Sequence, residues 1–176
     1  MSKTSSDRLN RFSSILASSG VDSYFCTSAV TLGYLVGFHE EGGERLLFLG
    51  VNKDGRTRMI APALARTQAK RSGIADIRTW RDGEDPMECV CELHRDWGFR
   101  SVAVDDEMRS AILLSLQTTI PEVNFVAGQP VLSDLVRRKD ASELTFLREA
   151  GRIADEAMAP VLSKIQPGMT EWDIHE

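Results

Sequence analysis

The sequence predicts an α/β fold, a mixed sheet with helices on both faces, followed by the helical start of a second domain. Three observations predict it. Short apolar runs rich in β-branched and aromatic residues alternate with segments of helical period through residues 1–136. An Asp54-Gly55 pair between two such runs marks an antiparallel hairpin inside the alternation. From Leu135 onward the pattern changes to one long helical stripe, placing a linker and an incomplete second domain at 137–176.

Taken in order, Leu9, Phe12, Ile15 and Leu16 define an amphipathic first helix that Gly20 closes in the left-handed conformation. VDSYFCT is a strand, and Ser28 is placed to cap a short helix through Tyr34. Gly37, Gly42 and Gly43 bracket an acidic loop carrying Phe38, His39, Glu40 and Glu41. RLLFLGV and RTRMIA form the hairpin. A helix from Pro62 to Arg71, a strand IADIRTW, a helix from Asp85 to Trp97, a strand SVAVD, a helix from Asp106 to Thr119 and a strand EVNFV follow. GQPVLSDLVRR leads out as a short helix and linker. Strands alternating with helices require a sheet covered on both sides, mixed because of the hairpin.

In the second unit, Asp140 and Glu143 form a capping-box pair that starts a long helix. Its stripe runs Leu144, Leu147, Gly151, Ala154, Met158, Val161 and Ile165, a surface that needs a partner. Pro160 should kink or divide this helix, and Pro167-Gly168 should end it. Thr170 and Asp173 cap one more short helix, within which the chain stops. Alone, the segment from Asp140 should fray or pack against another copy.

With 176 residues the chain can hold one full core and a remainder. A net charge of -5 and a pI near 5.3 argue against nucleic acid or an anionic membrane as partner. The one basic cluster, Arg137 to Lys139, reads as solvated linker. No stretch is long enough to span a bilayer. Three cysteines, an odd number, behind a polar start without an apolar leader point to a reducing cytoplasm. Cys89 and Cys91 diverge on a helix, and Cys26 lies in an apolar strand, so all three read as ordinary thiols.

Catalytic chemistry finds little footing. The histidines are His39, His94 and His175. His175-Glu176 opens a HExxH-like pattern that lacks its second histidine, and His94 reads as a structural side chain of its helix. Asp105, Asp106 and Glu107 could suit a hard cation, but acids where a strand yields to a helix are explained by capping, as are Glu84 and Asp85 before Pro86. No glycine-rich phosphate loop or nucleophile elbow is present. That leaves His39, Glu40 and Glu41, a histidine and two carboxylates between flexible glycines, which taken alone reads first as a solvated turn.

YLVGF (Tyr34 to Phe38), TWRDGEDP (Thr79 to Pro86) and LVRRKDASELTFLREAGRIADEA with its later IQPGMTE together resemble the Xaa-Pro peptidase family, prolidase and aminopeptidase P, which shares its architecture with creatinase. Val36 replaces the threonine of the family's YLTGF-like segment. The domain-junction pattern is matched by Arg138, Lys139, Glu143 and Leu144, and the Pro-Gly-x-Thr-Glu pattern by Pro167, Gly168, Thr170 and Glu171. The resemblance implies a creatinase-type amino-terminal domain over 1–136, then the first helices of a pita-bread catalytic domain. It implies a parent hydrolase acting on short proline-containing peptides through two divalent ions, Mn, Co or Zn, whose ligands lie further along that fold, so that no metal ligand or catalytic residue falls in this chain. It also implies a homodimer in which this domain reaches the partner's pocket. His39, Glu40 and Glu41, with Trp80 beside Arg81 and Asp82, would then form a substrate-gating rim. Two alternatives share the fold, the amino-terminal domain of a creatinase-like amidinohydrolase and a free-standing interaction module.

Overall fold

The computed structural model describes residues 3–40 and 42–175. The chain divides into two compact units, Met1–Val136 and Arg137–Glu176.

Six strands form the sheet of the first unit: β1 (Ser23–Cys26), β2 (Phe48–Asn52), β3 (Thr57–Pro62), β4 (Asp76–Trp80), β5 (Ser101–Val104) and β6 (Asn124–Ala127). Their spatial order is β4-β3-β2-β1-β5-β6. Only β2 runs against its neighbours; β3 with β4, β1 with β5, and β5 with β6 are parallel. The single reversal is the hairpin read from Asp54-Gly55. Asn52 pins it by accepting the amides of Asp54 and Arg56 on its side-chain oxygen, and Gly55 takes the positive φ of 86° that the turn requires.

Period-two alternation sends successive strand residues to opposite faces, and both faces are covered. Tyr24, Cys26, Leu49, Val51, Met59, Ala61 and Ala103 point to one side, under α1 (Lys3–Ser19), α2 (Ala29–Val36), α3 (Arg66–Arg71) and α6 (Gln129–Val136). Phe25, Phe48, Ile60, Trp80, Val102 and Val104 point to the other, under α4 (Met87–Trp97) and α5 (Ser110–Thr119). Phe25 lies against Phe48 and edge-on to Phe99, while Phe12 of α1 meets Tyr24 edge-on at 5.0 Å. Gly50 of β2 lets Trp97 and Leu93 close onto the sheet, where a Cβ would sit 3.3 Å from the indole.

Two local expectations change in this unit, and one gains detail. The 62–71 segment splits into a 3-10 turn (Ala63–Ala65) and α3. The helix expected from Asp106 begins only at Ser110, because Asp105, Asp106 and Glu107 are committed to other elements. The lead-out helix stands as expected, as α6, and packs into the core, Val131 and Leu135 being buried in the cluster that includes Leu9 and Phe12 of α1. Gly128 precedes it so closely to β5 that a Cβ there would lie 2.3 Å from the Val104 carbonyl oxygen.

In the second unit, α7 (Ala141–Lys164) opens with a reciprocal capping box, the Asp140 carboxylate accepting the Glu143 amide and the Glu143 carboxylate accepting that of Asp140. The helix is not divided at Pro160. A proline costs one backbone bond and crowds the carbonyl one turn back, and with only Val161 to Lys164 beyond it the rest of the ladder carries the helix through. None of the α7 side chains is buried. α8 (Glu171–His175) starts on Thr170, whose amide and hydroxyl both donate to Asp173. Among the described residues no helix is long and apolar enough to cross a membrane.

Candidate functional site

The carboxyl ends of β1, β3, β4, β5 and β6 share one edge of the sheet, the edge from which β2 starts. The described residues between α2 and β2, 37–40 and 42–47, lie along it, Leu46 at the end of β4 and Gly43 beside the turn after β5. At β1 and β5 the exits part: β1 leads to α2 on one face, β5 to α5 on the other. Such a divergence leaves a crevice between the two strand ends, the usual place for ligands in open α/β sheets. Here it is a cavity of about 610 Å³, lined by Thr27, Ser28 and Val30, by Gly42 to Arg45, and by Glu107, Arg109 and Ile112. A smaller cavity of about 260 Å³ lies on the other side of the loop, against Pro62, Leu64 and Gln68.

Two of the lining residues, Thr27 and Ser28, are tied to a buried carboxylate. Asp105, the residue after β5, accepts the amides of Thr27 and Ser28, the latter at 3.0 Å, and the Thr27 hydroxyl at 3.2 Å. Glu107 accepts the Ser28 hydroxyl, and Asp106 the amide of Gln129 at 3.3 Å. The sequence reading placed these acids at the start of their own helix; the structure corrects this. Asp105 and Asp106 satisfy amides at the starts of α2 and α6, and Glu107 takes the Ser28 hydroxyl, because the parallel arrangement brings those starts beside the end of β5. Ser28 is likewise not a side-chain cap for α2, since its hydroxyl is given to Glu107. Asp85 does accept the Met87 amide at the start of α4, whereas Glu84 closes a turn on Arg81.

The loop is held at both ends. Gly37 ends α2 at φ 68°, and Phe38 is buried in the core. The His39 ring rests on Gly33, where a Cβ would stand 2.5 Å from Nδ1 and Cε1; the absence of a side chain there gives the imidazole its seat. His39 and Glu40 are exposed, and Glu41 lies outside the described residues. At the far end the Arg45 amide donates to the Gly42 carbonyl at 2.9 Å, and a Cβ on Gly42 would clash with the Arg45 carbonyl oxygen at 2.4 Å. Arg109 donates to the Gly43 carbonyl at 2.6 Å, and Arg45 pairs with Asp82 at 3.1 Å.

Trp80 sits at the end of β4 with 8 % of its surface exposed, its Nε1 donating 3.0 Å to the Leu46 carbonyl. It supports the loop from the core and presents little surface itself. His39 and Glu40 therefore share a loop that Trp80 anchors, while His94 and His175 lie elsewhere. His94 is structural: Nε2 faces the Phe99 carbonyl at 3.0 Å, and Nδ1 stands 3.3 Å from Glu122. Burial pushes the Cys26 thiol and the Tyr24 phenol well up, keeping both neutral at ordinary pH. Cys89 and Cys91 are free, as is Cys26.

Sequence reasoning missed that Thr27, Glu107 and Arg109 line the crevice together with the loop, and that Asp105 ties down Thr27 and Ser28. A usable signal existed in SVAVD: a carboxylate directly after a buried parallel strand commonly meets the adjoining crossover.

The edge presents the exposed side chains of His39 and Glu40 and a set of acids that already have partners. Among the described residues no group of three or more His, Cys, Asp or Glu side chains could hold a metal ion. The acids nearest together are spent on backbone amides and a hydroxyl, so this donor set does not fit a divalent pair.

The Creatinase/Prolidase N-terminal domain family matches residues 8–137. The chain is 29% identical over 171 residues to an Xaa-Pro dipeptidase of Lactobacillus delbrueckii subsp. lactis, covering 93% of this chain and 46% of that protein. It is 30% identical over 171 residues to a probable dipeptidase, PepE, of Mycobacterium tuberculosis, covering 95% and 45%. The crystal structure of dipeptidase PepE from Mycobacterium ulcerans superposes with a TM-score of 0.85 at 28% identity, over 97% of this chain and 47% of that one. The chain thus spans about half the length of the curated relatives it matches. A six-stranded mixed sheet with this strand order, matched through residue 137, places the chain in the creatinase/prolidase amino-terminal domain family.

Proposed function

We propose that this chain is the dimerisation and substrate-gating portion of a cytoplasmic, metal-dependent Xaa-Pro dipeptidase or aminopeptidase, inactive by itself. The observation that carries the reading is the loop of residues 37–47, anchored at both ends and open at His39 and Glu40, on the edge of a domain found in Xaa-Pro dipeptidases. Exposed polar groups on a tethered loop can meet the ends of a short peptide without performing chemistry. Water activation and carbonyl polarisation would come from two divalent ions held by the remainder of the parent protein, since the donor set here does not fit them. In a homodimer the loop would face the pocket of the partner and limit the length of peptide admitted. Three free thiols fit a reducing compartment.

The test is kinetic, in the full-length protein. Replacing His39 and Glu41 by alanine should raise KM for Xaa-Pro substrates roughly fivefold to thirtyfold, the loss of one or two polar contacts, or change the preferred peptide length. Unchanged kinetics with an intact dimer would remove the gating role.

A further inference from the structure

Arg109 stands directly before α5, yet the group it holds belongs to the loop. Its guanidinium donates to the carbonyl of Gly43, a residue in the left-handed conformation at φ 59° with open space where a side chain would be. The turn that carries Arg109 is itself fixed. The Met108 amide donates to the Asp105 carbonyl at 3.1 Å, and Asp105 is tied through its carboxylate to Thr27 and Ser28. From the opposite side the loop is held by Trp80 at Leu46 and by Asp82 at Arg45. Residues 42–46 are therefore clipped twice, from the end of β4 and from the β5–α5 turn. Arg109 provides the second clip, across the mouth of the larger cavity.

We propose that Arg109 is a positioning residue: it sets the height of the 42–45 turn over the crevice between β1 and β5, and with it the placement of the neighbouring His39 and Glu40. Both Arg109 and Gly43 are exposed, so water competes for the contact and its effect is local, without bearing on the fold as a whole. Its consequence for catalysis rests on the gating role proposed above, whereas its effect on the loop does not.

Amide hydrogen exchange on the 176-residue chain tests it. The reporter is the Arg45 amide, which closes the turn onto Gly42. In Arg109→Met its exchange should accelerate roughly threefold to tenfold, the range for a partly solvated charge-assisted bond. Arg109→Lys, which keeps a cationic donor, should recover most of the protection. The sheet amides of β1 and β5 should not change in either variant. Unaltered exchange at Arg45, or an acceleration shared equally by β1 and β5, would overturn the proposal. Steady-state kinetics of Arg109→Met in the full-length protein then separate the two ideas. A raised KM at constant kcat supports both, while a loosened loop with unchanged KM upholds the positioning role and refutes gating.

Discussion

Removing the Asp105 carboxylate tests how the carboxyl edge is built. Asp105 is 4% exposed and accepts two backbone amides and a hydroxyl from residues 27 and 28. A hydrogen bond to a charged acceptor contributes about 1.5–3 kcal/mol net, and a buried donor left unpaired costs about 1–3 kcal/mol. Thr27 is only half-buried, so water recovers part of the loss at that position. Asp105→Ala should therefore destabilise the fold by about 3 kcal/mol. Asp105→Asn can still offer one oxygen to both amides and turn its NH2 toward the Thr27 hydroxyl, so it should cost only about 1 kcal/mol, the charge assistance. In urea unfolding, with slopes of about 1–3 kcal/mol/M, the alanine variant's midpoint should fall by about 1–3 M at unchanged slope. Hydrogen exchange at Ser28 should accelerate in parallel. A cost below about 1 kcal/mol for Asp105→Ala, or equal costs for the two variants, would show that solvent replaces the carboxylate and that the β1–α2 turn does not depend on it.

Three further substitutions test the rest of the chain. At the opposite edge, the hydrogen bond from Lys53, the Arg100 and Ser101 amides and the nearby ammonium charge together hold the Asp22 carboxyl below its ordinary value. Its contribution is thus fully present above the unfolded pKa of about 4 and is lost as pH falls from there through the lower folded value. The stability advantage of the wild type over Asp22→Asn should shrink below about pH 4 and stay constant above about pH 5, as read by urea midpoints across that range; a constant gap throughout would refute the assignment. Gly128→Ala should cost at least about 1–3 kcal/mol, since the new methyl meets the Val104 carbonyl and the Tyr24 ring, whereas Gly151→Ala, in open space within α7, should gain about 0.5–1 kcal/mol of helix stability. Thermal unfolding followed by circular dichroism distinguishes the two, and similar effects would contradict the packing described.

What the sequence determined alone is whatever depends on near neighbours. The Asp54-Gly55 turn, the Asp140–Glu143 capping box and the alternation that sends Tyr24 and Phe25 to opposite faces all arise from spacings of four residues or fewer, where local geometry fixes the partner. Family membership was legible for a related reason, because short segments in a fixed order survive in the chain as text. The acids at 105–107 were misread because their type suits a helix start equally well whether the helix is their own or another. Only the parallel pairing of β1 with β5 put Thr27 and Ser28 within reach of Asp105 and Glu107. The same long-range closure decided that Trp80 is a buried support for the loop and that Arg109 holds it, since both contacts join residues far apart in sequence. Tertiary structure decides such matters because a hydrogen bond is specified by distance and direction, and between remote segments both are set by the sheet.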